Sequence, residues 1–183
     1  MEIKLDSKLM KAVAGLFLFA ISIILMAADG GKLAGAAWSG NIHWLPGLFM
    51  MFMAFAMCGA AYLEKFDCKL VTRACLYLLF SIVMLAKKGV ATDYFFLGLW
   101  AALEGVMLVF DGLKAKEAKA NLWFVQACLG ALVILFGFIS CFMETKGLKL
   151  NPMPGIAFLF AALGMIFPVC ADFLPKCELK LKK

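Results

Sequence analysis

Charge is distributed along this chain so that long stretches carry none. No Asp, Glu, Lys or Arg occurs from Ala12 to Ala28, Leu33 to Leu63, Ala74 to Ala86, Ala120 to Met143 or Leu150 to Ala171. A helix that crosses a hydrocarbon core needs roughly 17–25 mostly apolar residues, and most of these stretches can hold one. With 65% of its 183 residues hydrophobic and 16% charged, the chain has more apolar surface than a soluble domain of this size can bury. The bilayer has to act as its solvent.

The expected fold is an all-α integral membrane protein with six transmembrane helices, at 10–28, 43–64, 70–87, 93–111, 121–143 and 153–173. Turn chemistry supports the division, because Asp29-Gly30-Gly31, Lys88-Gly89 and Lys146-Gly147 follow the odd-numbered helices, and Pro46, Pro152 and Pro154 stand near helix starts. The third span is the shortest: 13 uncharged residues separate Arg73 from Lys87. It is expected to cross with those two side chains reaching toward the headgroups. The first span fits the loose pattern of an export signal, with Ala27-Ala28 before Asp29. Its apolar stretch is longer than a signal core, and it has counterparts downstream that an export signal would not need.

Those counterparts suggest an internal repeat. Lys11-Ala-Val-Ala-Gly15 aligns with Arg73-Ala-Cys-Leu-Tyr77 and with Gln126-Ala-Cys-Leu-Gly130, which brings Ser22 over Met84 and Gly137. The even helices end alike, at Glu64, Asp111 and Asp172, and that anchoring superimposes Ala54, Ala101 and Ala162. The chain therefore reads as one membrane domain, 1–183, built from three tandem hairpins at about 10–64, 70–111 and 121–173. Small residues seven apart on one helix face let backbones approach in lipid, which makes homo-oligomerisation an additional expectation.

Lys and Arg are distributed unequally between the two sides. Thirteen lie on the side of the N-terminus and five on the other, which predicts cytoplasmic N- and C-termini in an inner, cytoplasmic membrane. The formal charge of +6 thus needs no nucleic-acid partner; basic residues beside a membrane set topology or meet anionic lipid. Cys58, Cys75, Cys128, Cys141 and Cys170 fall in predicted spans, and Cys68 and Cys177 on the cytoplasmic side, so no disulfide framework is expected.

Three hairpins in a chain of this length, with glycine-bearing stretches around Gly15, Gly105, Gly112 and Gly130, resemble the HdeD-like acid-resistance membrane protein family. The proline which that family carries after each odd helix is absent here. The resemblance implies a non-enzymatic inner-membrane protein of bacteria linked to stress such as acid exposure, and it transfers no functional residues.

No HExxH, GxSxG, phosphate-binding glycine loop or nucleotide fingerprint is present. Catalytic, cofactor-binding and metal-ligating residues are accordingly not expected. The one histidine, His43, stands beside Trp44 where an interfacial belt would place it. Met53 and Met57 share a helix face, a step similar to that of small copper transporters, although methionine is also a common apolar filler.

Glu104 is the sharpest anomaly, because it falls near the middle of the fourth span, where an ionised side chain costs on the order of 2.5 kcal/mol or more. It is expected to face protein or water with Trp100, Ala101, Leu108 and Asp111 on the same side. A structural role needs only that it is protonated or hydrogen-bonded to Tyr77 or Ser81, locking the third span to the fourth; a functional role makes it a proton-responsive or cation-contacting group in a polar cleft with Arg73, Tyr77, Ser81 and Gln126 as neighbours. Two function classes follow: an HdeD-like stress protein, or a small transporter or substrate-binding membrane subunit of an importer.

The topology is checked by reporter fusions active only in the cytoplasm. Fusions at the C-terminus and in the segment from Lys114 to Lys119 should give signal, and one at Lys146 should not; signal at Lys146 contradicts the six-span arrangement.

Overall fold

A computed structural model describes residues 7–28, 45–86, 90–120, 122–142 and 153–171. It contains six α-helices: α1 (Ser7–Ala28), α2 (Leu45–Leu63), α3 (Cys68–Ala86), α4 (Val90–Glu117), α5 (Trp123–Phe142) and α6 (Met153–Ala171). Each is long and apolar enough to cross a membrane, and the described residues contain no strand. The protein is a multi-pass membrane bundle. The expected turns at Asp29-Gly30-Gly31, Lys88-Gly89 and Lys146-Gly147, together with His43, Trp44, Pro152 and Cys177, lie outside the described residues.

Helices α1 and α4 are longer than their apolar runs predict. Helix α4 continues past Asp111 through Gly112-Leu-Lys-Ala-Lys-Glu117, with Lys114 and Lys116 in the last turn, where cations oppose the negative end of the helix dipole. Helices α2 and α4 then end in the same way. Phe66 N–H donates to Ala61 O at 2.7 Å and Lys65 N–H to Tyr62 O at 3.2 Å, while Ala120 N–H donates to Ala115 O at 2.9 Å and Lys119 N–H to Lys116 O at 3.0 Å. These are Schellman caps, in which lysines at φ 55° and 53° hold the left-handed position usually given to glycine. Both caps lie at the same end of the bundle.

Packing is closest in three antiparallel pairs, α2 with α3, α4 with α5, and α6 with α1. Lipid gives helices no hydrophobic reason to associate, so close backbone approach at small residues has to supply the contact. Between α4 and α5, Gly98, Gly105 and Gly112 repeat every seven residues, two helical turns. A Cβ on Gly105 would stand 2.7 Å from both Gly130 O and Ile134 N, and one on Gly98 would stand 2.7 Å from Gly137 O. Between α6 and α1 the stripe is Gly155 and Ala162 against Ser22 and Gly15; a Cβ on Gly15 would meet Ala162 O at 3.1 Å, and one on Gly155 would meet Ser22 O at 3.2 Å. Between α2 and α3, Gly47 sits under Met84 and Leu85 and accepts a 2.8 Å hydrogen bond from Ser81 Oγ at its carbonyl. By these like contacts of Gly47, Gly98 and Gly155, Glu104 is level with Met53 and Ala161. Counting back seven residues from Glu64, Asp111 and Asp172 instead sets it over Met57 and Met165, four residues away.

The pairs also meet one another through α1 with α2 and α5 with α6, and α4 touches α6. At the remaining junction, α3 with α4, the backbones barely approach. The core between the pairs is filled by Leu18, Met50, Met53, Met57, Leu97, Trp100 and Phe158, with Trp100 5.4 Å from the Tyr77 ring and 4.8 Å from that of Phe158. The thioethers of Met53 and Met57 are thus part of the core. Leu16, Phe19, Phe55, Leu79, Ile82, Phe110, Leu135 and Phe138 point outward, a surface that lipid covers. The described cysteines are all free, and all but Cys141 are exposed on this outer surface; they do not fill the core.

The packing predicts a contrast between two glycines. Gly105→Ala forces a methyl against backbone and should lower stability by about 2 kcal/mol in a reversible unfolding titration. At Gly59 the nearest atom is the flexible Met10 Sδ at 3.4 Å, so Gly59→Ala should stay within about 0.5 kcal/mol of the parent.

Candidate functional site

Where α3 and α4 fail to meet by backbone, they are joined by long polar side chains. On α3, Lys69, Arg73 and Tyr77 recur every four residues and form one stripe; on α4, Glu104 and Asp111 are seven apart and form another. Arg73 forks onto Glu104, with Nε donating to Oε2 at 3.0 Å and Nη2 to Oε1. Its Nη1 donates to Asp111 Oδ2 at 2.9 Å. Tyr77 OH donates to Glu104 Oε2 at 2.6 Å, and Lys69 Nζ to Asp111 Oδ1 at 2.5 Å. Arg73 is 1% exposed and Glu104 2%, so the central pair is withdrawn from both lipid and water.

The structure brings Glu104, Arg73 and Tyr77 together and separates the other two expected neighbours. Ser81, one turn beyond Tyr77, turns to α2 and donates to Gly47 O instead. Gln126, on α5, places its amide Nε2 3.4 Å from Gly164 O of α6. Of the two hydrogen-bond partners expected for Glu104, Tyr77 donates to it and Ser81 does not, and Arg73 adds two further donors. Arg73 does not extend to the headgroups either; a buried carboxylate one helix away is a better partner for a guanidinium than a distant phosphate. Lys69 and Asp111 complete the cluster; sequence spacing puts Asp111 on the Glu104 face but singles out neither as a site residue. Their spacing from Arg73 and Glu104 was the available signal.

Above the cluster lies a cavity of about 550 Å³ that opens at the end bearing the two Schellman caps. Its wall includes Lys8 and Lys11 of α1, Glu64 and Asp67 of the α2–α3 turn, and Lys69, Leu70 and Arg73 of α3. Leu108, Asp111 and Lys114 of α4, Gln126 of α5, and Met165 and Pro168 of α6 close it. The aligned positions Lys11, Arg73 and Gln126 all line this space. Ser7 Oγ and Lys11 Nζ bond Glu64, the latter at 3.5 Å, and tie α1 to the turn. Glu104 itself is not in the wall; it lies behind Arg73. Beneath the cluster the described residues are apolar and packed, through Trp100, Phe158 and Leu97. Among the described residues no group of three or more His, Cys, Asp or Glu side chains is placed to hold a metal ion.

The arrangement can hold a polar or charged group in the cavity without exposing it to lipid. Breaking a buried ion pair on one side leaves the other charge uncompensated, which costs about 3–5 kcal/mol, while removing both charges is close to neutral. Glu104→Gln and Arg73→Met should therefore each destabilise the bundle by roughly 3 kcal/mol, and Arg73→Met/Glu104→Met by less than either alone. Additive losses in unfolding titrations of the four proteins would contradict the pairing.

No protein-family model matches this chain, and neither a curated protein nor a solved structure gives a match.

Proposed function

We propose that this chain is a non-enzymatic protein of a bacterial cytoplasmic membrane, with both termini in the cytoplasm, that binds a small ligand in the basic cavity. It belongs on this reading with the small transporters and the substrate-binding membrane subunits of importers. The observation that carries it is the cavity of about 550 Å³, within the roughly 300–1,000 Å³ range of small-molecule sites, floored by a buried arginine. A bundle with only a structural task has no use for such a space, since lipid-solvated helices gain most by closing on one another. The cavity opens at one end and is sealed below by Tyr77, Trp100 and Phe158, which favours binding from the cytoplasmic side over a continuous pore. Thirteen of the 18 Lys and Arg residues assigned to that side support the orientation.

A second reading, the HdeD-like stress protein, is favoured by the like seams of the three helix pairs. Gly47 against α3, Gly98 against α5 and Gly155 against α1 occupy corresponding places, as expected of three hairpins descended from one.

The cavity's accessibility tests the proposal. In a background without other cysteines, Ala115→Cys on its wall should react with a charged, membrane-impermeant thiol reagent in inverted vesicles and resist it in intact cells. Reaction only from outside, or from neither side, contradicts a cavity open to the cytoplasm.

A further inference from the structure

The charges around the cavity are committed to one another before any ligand arrives. Lys11 pairs with Glu64, Lys69 with Asp111, and Arg73 with both Glu104 and Asp111. Arg73 also hydrogen-bonds Tyr77, and Lys8 is engaged as well. What remains on the wall is the half-buried Asp67 and the exposed Lys114, which are of opposite sign and both reach solvent. An ion passing deeper has to break one of the pairs or give up its water without a counter-charge, and either is costly.

Gln126 is the buried polar group on the wall with capacity to spare. It is 8% exposed, and its side chain lines the cavity. Its Nε2 makes one long contact, to Gly164 O at 3.4 Å, and that contact sets which end of the amide is nitrogen. The carbonyl oxygen, Oε1, accepts nothing from the described residues, whereas buried acceptors are ordinarily satisfied. An oxyanion brings a second acceptor to it and gains nothing. An ammonium brings a donor, but Gln126 shares this wall with Lys11 and Arg73 of the aligned positions, and like charge opposes it. An uncharged donor meets neither objection. Water supplies such a donor too, so preference over water has to come from the rest of the wall; Leu70, Leu108, Met165 and Pro168 are apolar and reward a hydrocarbon body.

Resting on the binding function proposed above, we infer that the cavity takes an uncharged molecule bearing a hydroxyl or amide N–H on a short apolar body. The O–H or N–H donates to Oε1 of Gln126, and the body lies along Leu108 and Met165. Because α1, α3, α4, α5 and α6 all contribute to the wall, the molecule enters from the open aqueous end and not from lipid.

Calorimetric titration of the full chain in phosphatidylcholine nanodiscs tests this with pentanamide, methyl pentanoate, pentanoate and pentylammonium, which share a body and differ in head. Pentanamide should bind at one saturable site, with an affinity that added salt leaves unchanged. Methyl pentanoate is uncharged but has no donor, and it and the two ions should each bind roughly tenfold more weakly or not at all. Gln126→Leu should weaken pentanamide by about tenfold, the effect of leaving its N–H without an acceptor in a buried site. Ala115→Trp fills the cavity from a half-buried position near the end of α4, so it should abolish binding without disturbing the core. Tighter binding of pentanoate or pentylammonium, lost in Ala115→Trp, overturns the uncharged assignment while the binding function survives. Equal binding of methyl pentanoate, or pentanamide binding that Gln126→Leu leaves intact, overturns the role of Gln126. Pentanamide binding that persists in Ala115→Trp overturns the location. If no probe saturates although the thiol of Ala115→Cys is reached from the cytoplasmic side, the inference fails alone; if that thiol is out of reach as well, the function on which it rests fails with it.

Discussion

The bundle depends on Arg73. It reaches from α3 to two carboxylates of α4, across the one junction where consecutive helices hardly touch through their backbones. In water such a pair would be a weak stabiliser, because desolvation of both ions offsets their attraction. In a bilayer the alternatives are worse: a lone Glu104 in the middle of α4 would have to face hydrocarbon or be protonated. The bidentate fork and the Tyr77 hydroxyl satisfy Glu104, and Lys69 with the third arm of Arg73 satisfies Asp111. They leave α3 and α4 joined at a distance.

That distance shapes the rest of the molecule. Three helix pairs close at glycine, alanine and serine, where a missing side chain lets backbones touch. An α3–α4 seam of the same kind would have filled the bundle. Spanning the gap with long side chains keeps a space open above them, and the Schellman caps of α2 and α4 carry the adjoining turns around its rim. The cluster is therefore both a strut and a floor. Its charges also set the cavity's character, since the guanidinium that holds the helices is itself part of the wall.

Much of this is legible in the sequence, for physical reasons that differ by element. The six spans are readable because lipid imposes length and apolarity on each one independently; their ends are less so, as at α4, where helix-favouring Lys and Ala continue after the apolar run stops. Glu104 stands out because a carboxylate is costly in a membrane, and Tyr77 and Arg73 follow as groups on the preceding helix able to answer it. Asp111 is legible on the face of Glu104 by helical spacing, but its bond to Arg73 is not, and Lys69 escapes because a charge near a span end reads as a topology signal. Ser81 misleads for the opposite reason: α3 has two neighbours, and one turn of rotation gives its hydroxyl to Gly47 of α2. The cavity is not legible at all, because it arises from the spacing of α3 and α4, which no local pattern encodes.

The central claim is that α3 and α4 are held together by the ion cluster and not by packing. Electron–electron double resonance tests it most directly, with spin labels at Thr72→Cys on α3 and Leu113→Cys on α4, both exposed, in bilayer nanodiscs. When Glu104→Gln is introduced, the α3–α4 distance distribution should broaden, while labels across the glycine seam of α4 and α5 should report an unchanged distribution. An α3–α4 distribution as narrow in the variant as in the parent would show that packing alone holds this junction and would contradict the account.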